Sequence, residues 1–259
     1  MRSFISNMFG KFANYKFPKT IQNFINKQYI KAFNIDMSEF KSYDKYDSLN
    51  ALFTRHLVKP RCIENSSIIA PCDGLILDSG ISSEGKAMSI KGKTYEISTL
   101  LGEDDLEDLN YANIYLSPKD YHHYHAPCDI KILKAEYFSA ELFSVAPKVL
   151  RKIPNLYAKN ERVVLKCELK NSKILWIVFV GALNVGKMKF DFDERIKTNA
   201  KLGDATYEYE NLEYQKGDHL GNFELGSTIL LLSPKDALKF SIKANDRVKF
   251  GDKFGEILP

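Results

Sequence analysis

Apolar positions change their spacing near residue 60. Before it, Phe4, Ile5, Met8, Phe9 and Phe12, and then Ile21, Phe24, Ile25 and Phe33, recur at three- and four-residue intervals. This is the spacing of amphipathic helices. Pro18 interrupts the pattern, so two short helices are expected. Leu49, Leu52, Phe53 and Leu57 mark a further helix that Pro60 ends. Beyond it, short apolar runs and alternation predict strands over 68–70, 75–77, 113–116, 130–138, 162–169, 174–182, 185–190, 229–232 and 239–244. Asn171-Ser172-Lys173 reads as a hairpin turn between two of them. No repeat or linker divides the chain. The expected class is α+β, a mainly antiparallel β domain over 46–259 with an N-terminal amphipathic helical segment over 1–45.

Charge changes the reading of that segment. The chain carries a formal +4, yet residues 1–35 hold six basic residues (Arg2, Lys11, Lys16, Lys19, Lys27, Lys31) and no acidic ones. The remainder is therefore slightly acidic, at −2. Basic side chains opposite an aromatic face suit an anionic bilayer surface, each contributing on the order of 1 kcal/mol near the headgroups. A helical hairpin packed on the main domain and a nucleic-acid patch are the alternatives. The longest apolar run, Ile174 to Leu183, is about half of the roughly 20 residues that span a bilayer. No unbroken apolar stretch with a cleavage site opens the chain, so neither crossing nor secretion is expected. Cysteines 62, 72, 128 and 167 have no paired spacing, which speaks against a disulfide framework or a zinc knuckle and for a reducing compartment.

Three segments carry candidate chemistry. In Ser117-Pro118-Lys119-Asp120-Tyr121-His122-His123-Tyr124-His125, a capping-box pattern predicts a short helical turn that puts His122 and His125 on one face. An extended backbone instead aligns His123 with His125. That second geometry supplies two ligands for a zinc metallopeptidase, with Asp73, His56 or His219 as the third. Asp73 lies in Pro71-Cys72-Asp73-Gly74, first of all a turn sequence. Gly226-Ser227 is by itself a tight corner before an apolar strand. Jointly the segments supply Asp, His and Ser, a set that activates a hydroxyl, although no Gly-x-Ser-x-Gly elbow is present.

A serine directly after a glycine offers its activated oxygen another target, the preceding carbonyl of the same chain. Gly226 has no Cβ, so the backbone can adopt the strained conformation that attack requires. An N-to-O acyl shift gives an ester, and β-elimination then leaves dehydroalanine, which hydrolyses to a pyruvoyl group. Such a carbonyl forms a Schiff base with an amine and accepts electrons as a carboxylate leaves.

With these residues in view, the chain resembles the bacterial phosphatidylserine decarboxylase proenzymes. The matching segments include Leu52-Phe53-Thr54-Arg55, Ala70-Pro71-Cys72-Asp73-Gly74, Lys91-Gly92-Lys93-Thr94-Tyr95 and Tyr115-Leu116-Ser117-Pro118-Lys119-Asp120-Tyr121-His122. They continue with Leu142-Phe143-Ser144-Val145, Asn155 to Val163, Val180-Gly181-Ala182 and Leu225-Gly226-Ser227-Thr228. Cys72 stands where alanine is frequent, and the loop Val58-Lys59-Pro60-Arg61 is short. The resemblance implies self-cleavage at Gly226-Ser227 into a β chain of 1–226 and an α chain of 227–259, with Ser227 converted to the pyruvoyl cofactor. Asp73, His125 and Ser227 match the self-processing triad. His122 matches a second histidine associated with decarboxylation, and His123 falls at a variable position. The partners implied are phosphatidylserine, an anionic membrane surface on the cytoplasmic face of the cell membrane, and the two chains of one precursor. A homodimer is the alternative assembly to a monomer, and no nucleic acid is expected. The competing readings are the zinc metallopeptidase on His123 and His125, and a non-enzymatic membrane-binding β domain.

Overall fold

The computed structural model describes residues 10–83, 86–89, 93–150, 152–182, 187–200, 202–224 and 227–259. Residues 10–14 are helical, and after Pro18 a second helix, Lys19–Phe33, turns out of its axis at Asn34, which takes the left-handed conformation. Ser48 caps the next helix, Leu49–Phe53, by accepting from the Ala51 backbone N–H. That helix is shorter than its apolar spacing predicts. The Thr54 N–H and hydroxyl both close onto the Asn50 carbonyl, and Leu57 instead bridges to Phe40. Ala13, Tyr46, Leu49, Leu52 and Phe53 bury one another with Ile25, Tyr29 and Met37 against them, so the helical cluster draws on both sides of position 45.

The strands are β1 (Ile68–Ile69), β2 (Gly74–Ile81), β3 (Lys86–Ser89), β4 (Lys93–Glu96), β5 (Leu109–Leu116), β6 (His123–His125), β7 (Ile130–Phe138) and β8 (Arg162–Glu168). They continue as β9 (Ile174–Val180), β10 (Met188–Phe190), β11 (Ala205–Tyr214), β12 (His219–Phe223), β13 (Ser227–Pro234), β14 (Leu238–Phe240), β15 (Arg247–Val248) and β16 (Lys253–Ile257). Eight of them form one antiparallel sheet in the order β11-β7-β8-β9-β13-β5-β2-β15. Two three-stranded sheets, β10-β12-β6 and β1-β16-β14, and the β3-β4 hairpin complete it.

Continuous apolar runs in β9 and β13 are what a sheet covered on both faces requires. Side chains alternate across it: Ile229 and Leu231 enter one core with Ile177 and Phe179, whereas Leu230 and Leu232 enter the other with Trp176 and Val178. The first core is closed by the small sheets through Tyr124, Leu220, Phe223 and Phe254. The second lies under Ile97, Leu100, Leu150, Leu156 and Tyr157, from three short helical turns. The architecture is thus α+β, as the spacing predicts. Asn171 and Ser172 do turn β8 into β9, with Ser172 at positive φ. β11 lies outside the predicted strands because its inward positions are tyrosines rather than aliphatics, alternating with glutamates of low strand propensity. Among the described residues β11 pairs only with β7, and the outward charges suit an edge. All four cysteines are free thiols, and no described helix is long and apolar enough to cross a membrane.

Candidate active site

All five histidines of the chain gather around β6, although they lie as far apart as positions 56 and 219. The Ser117–His122 segment folds as a turn rather than the expected helical turn. Asp120 accepts from the Ser117 N–H at 2.7 Å and its hydroxyl at 2.6 Å, but Ser117 Oγ does not cap in return. From His123 the chain is extended. Period-two alternation sends Tyr124 into the core and puts His123 and His125 together on the opposite face. Of the two geometries the sequence leaves open, the extended one holds.

His122 precedes the strand and is wholly buried, its ring 3.9 Å from that of Phe53. Nδ1 lies 2.8 Å from the Asp120 carbonyl, so it donates and the proton sits there; Nε2 keeps its lone pair and has no partner. Burial, and then the Arg55 guanidinium, push its pKa well below the ordinary histidine value. Arg55 is itself buried and donates to the carbonyls of Lys119, at 2.6 Å, and Asp120, at 3.0 Å. It therefore grips the turn that aims His122. The segment Leu52-Phe53-Thr54-Arg55 is thus a structural brace for the site, a role its spacing alone does not reveal.

Nδ1 of His125 donates to the Gly217 carbonyl at 2.9 Å, which leaves Nε2 as the basic nitrogen, 3.4 Å from the Tyr121 hydroxyl. Burial lowers its pKa to about 3, with His219 and Arg61 adding to the effect. Asp73 is turned elsewhere. Its carboxylate takes two bonds from Arg61, at 2.5 and 3.1 Å, and one from the Phe250 backbone N–H at 2.8 Å. Arg61 also holds Glu39, at 2.8 and 3.0 Å. Asp73 and His125 consequently meet through Phe250, whose backbone binds one and whose ring stacks on the other, rather than through a hydrogen bond of their own.

Ser227 opens β13, the strand between β9 and β5, opposite Leu116. Its residue is fully buried and Oγ has no hydrogen-bond partner among the described residues. Alternation puts it on the face of Ile229, toward the core that Tyr124 enters. The Phe223 N–H donates to the His122 carbonyl, so Phe223 lies beside His122 as Ser227 lies beside Leu116. Gly226, the other half of the expected cleavage site, lies outside the described residues, as does Leu225. Among the described residues no hydrogen bond joins Ser227 to Asp73, His122 or His125. Buried polar atoms without partners cost about 1–3 kcal/mol each, and among the described residues those found here include His122 Nε2, Ser227 Oγ and Arg55 Nε.

The zinc alternative finds no support in this geometry. His123 spends Nδ1 on His219 at 2.7 Å and Nε2 on the Thr54 carbonyl at 3.1 Å, and His125 spends Nδ1 on Gly217. No group of three ligating side chains is arranged for a metal among the described residues.

Residues 49–256 match the family model for phosphatidylserine decarboxylase. The chain belongs to this family. It is 53% identical to the phosphatidylserine decarboxylase proenzyme of Campylobacter jejuni over 97% of each chain. A proenzyme of the same name from Helicobacter pylori is 49% identical over 97% of this chain and 96% of its own. One from Legionella pneumophila is 36% identical, over 88% and 83%. The match spans the brace, the Asp73 turn, the histidine strand and Ser227 together, as the motif resemblance implies.

Proposed function

We propose that this chain is a self-processing carboxy-lyase that converts phosphatidylserine to phosphatidylethanolamine. The observation that carries the reading is Ser227: a fully buried serine with an unpartnered hydroxyl, at the head of a central strand, in a family whose relatives bear the name proenzyme.

In the processing step the Ser227 Oγ–H proton passes to His125 Nε2, once a local rearrangement brings together two side chains that here lie on opposite sides of β6, as Oγ bonds to the Gly226 carbonyl carbon. The Gly226–Ser227 C–N bond breaks, and the nitrogen takes up a proton. Loss of the Cα proton of residue 227 then expels the Gly226 carboxylate, and water replaces the nitrogen, releasing ammonia. A wholly buried residue 227 suits a group that must be kept from bulk water. At the new terminus of the α chain (227–259), a pyruvoyl group held by the surroundings of residue 227 would supply an electrophilic carbonyl and an electron sink for the loss of carbon dioxide. His122, neutral and with a free Nε2, is suited to hold or deliver the proton that replaces the carboxylate. Asp73, clamped by Arg61, fixes the backbone of Phe250 and with it the ring that stacks on His125.

Phosphatidylserine is a membrane lipid, and the N-terminal helices supply the surface to meet it. Phe12, Tyr15, Ile21, Phe24 and Phe33 are exposed there beside Lys11, Lys16, Lys19 and Lys31. That pairing supports peripheral attachment to an anionic membrane, which we place on the cytoplasmic face.

Intact mass under denaturing conditions tests the reading. Two species dividing after Gly226, the smaller lacking a terminal amine, with Ser227→Ala giving one full-length mass, is the expected result. A single full-length mass from the folded parent protein would overturn it.

A further inference from the structure

The face of β6 that carries His125 holds a second hydrogen-bonded chain that the processing scheme does not use. It runs from Asp191, just past β10, through His219 on β12 and His123 on β6 to the Thr54 carbonyl. The three contacts are 2.6, 2.7 and 3.1 Å. A register shift in β12 between His219 and Gly221 sets His219 opposite His125 and within reach of His123. Gly221 is required there, since a Cβ would lie 1.9 Å from the Lys189 carbonyl oxygen.

Proton counting fixes the charge of this chain. A carbonyl only accepts, so His123 Nε2 carries a hydrogen; a carboxylate only accepts, so His219 Nδ1 carries another. The contact between His123 Nδ1 and His219 Nε2 needs a third, because two lone pairs facing each other at 2.7 Å repel. Two neutral imidazoles hold one proton fewer than this. The pair is therefore a cation balanced by Asp191. His123 is buried and burial holds its pKa to about 3, whereas the His219 side chain is 31% exposed, so the charge resides on His219.

We infer that His219, held as an imidazolium by Asp191 and His123, is a positioning residue whose charge adds to burial in disfavouring protonation of the neighbouring His125. The His125 and His219 rings lie 5.1 Å apart, edge to face. The other charged and titratable groups facing this pair are Arg61, which acts on His125 in the same direction, Asp191, which opposes it, Tyr121, whose hydroxyl lies 3.4 Å from His125 Nε2 and whose ring stacks on His123, and His56 with Lys41 behind His123. A cation at that distance in a partly solvated site shifts a neighbouring base by about one pH unit. The consequence for processing rests on His125 as the base, whereas the charge assignment does not.

The test is a long-range proton–nitrogen correlation spectrum of the five imidazoles in the full-length Ser227→Ala chain at pH 7. His219 is expected with both ring nitrogens protonated and His123 with one, and Asp191→Asn should return His219 to a neutral ring. In His219→Gln, which still donates to His123, the titration midpoint of His125 should rise by about one pH unit. A singly protonated His219 in the Asp191-containing chain, or an unmoved His125 midpoint in a folded His219→Gln protein, overturns the inference. With Ser227 restored, the acid limb of the cleavage-rate profile should follow the His125 midpoint. If the midpoint moves and cleavage does not follow, His125 as processing base falls and the relay stands.

Discussion

The ring of Phe250 lies flat on the imidazole of His125, with centroids 3.6 Å apart and planes 11° from parallel. The same residue's backbone N–H binds Asp73, so one position couples an aspartate and a histidine that share no bond. Phe250→Leu keeps the backbone donor and most of the buried volume. It should cost about 1 kcal/mol or less in urea unfolding while slowing self-cleavage about tenfold. Cleavage at the parent rate in that variant would remove the stack from the processing machinery.

Arg61 holds two carboxylates at once, and its side chain is 10% exposed. Lysine is a single point charge and cannot reproduce the fork. Arg61→Lys should destabilise the precursor by about 2 kcal/mol, and Arg61→Met by about 3 kcal/mol, because Asp73 is then buried with only the Phe250 N–H for company. Urea denaturation of the Ser227→Ala forms reads this without interference from cleavage.

His122 should separate the two reactions. His122→Phe fills the same space against Phe53 and removes an unpartnered nitrogen together with the bond to the Asp120 carbonyl, which Arg55 still satisfies, so folding stability should change by about 1 kcal/mol or less. Mass spectrometry should show cleavage within a few-fold of the parent, while decarboxylation measured as released carbon dioxide falls by about 100-fold or more.

Acid should unfold the precursor through its histidines before its carboxylates. Burial depresses His123 and His125 to about 3 in the folded state, from 6.5. The unfolded chain therefore binds more protons below 6.5, and stability falls with pH through the window from 6.5 down to about 3. Each contributes a slope of about 1.4 kcal/mol per pH unit there. Glu39, lowered to about 2 chiefly by its bond from Arg61, adds its loss only below about 4.5. Urea midpoints at pH 7.5, 6.5 and 5.5 should be flat across the first interval and drop across the second.

On the helix Lys19–Phe33, Phe24 is 62% exposed. Phe24→Ala should weaken binding to vesicles containing anionic lipid about tenfold without changing the unfolding midpoint. Equal binding by both proteins would exclude this face from the membrane.

The fold was legible wherever aliphatic residues set the period. β7 matches its predicted bounds, and β9 and β13 were visible as runs too apolar for anything but a doubly covered sheet. The strands that escaped are β3, β4, β6, β11, β12, β15 and β16, which are short or mix histidine, tyrosine, lysine, glutamate and glycine among the few apolar residues they send into the core. The chemical residues were legible by motif, but their pairing was not. That Asp73 turns to Arg61, that His125 leans on Gly217, and that His219 crosses from β12 to meet His123 all depend on contacts between segments remote in sequence. His123, a variable position by resemblance, has both ring nitrogens engaged in a network no local pattern signals.

β13 is hydrogen-bonded to β9 on one side and β5 on the other, while β15 and β16, from the same C-terminal stretch, pair with β2 and with β1 and β14. A cut after residue 226 would therefore sever the thread without releasing either end. The short piece is woven through two sheets of the long one, and with no disulfide to hold them the two chains should part no faster than the fold itself comes undone. Once parted, the 227–259 piece would keep only the β14–β16 pairing, because every partner of β13 and β15 stays on the long chain, so a cut chain would have little from which to reassemble.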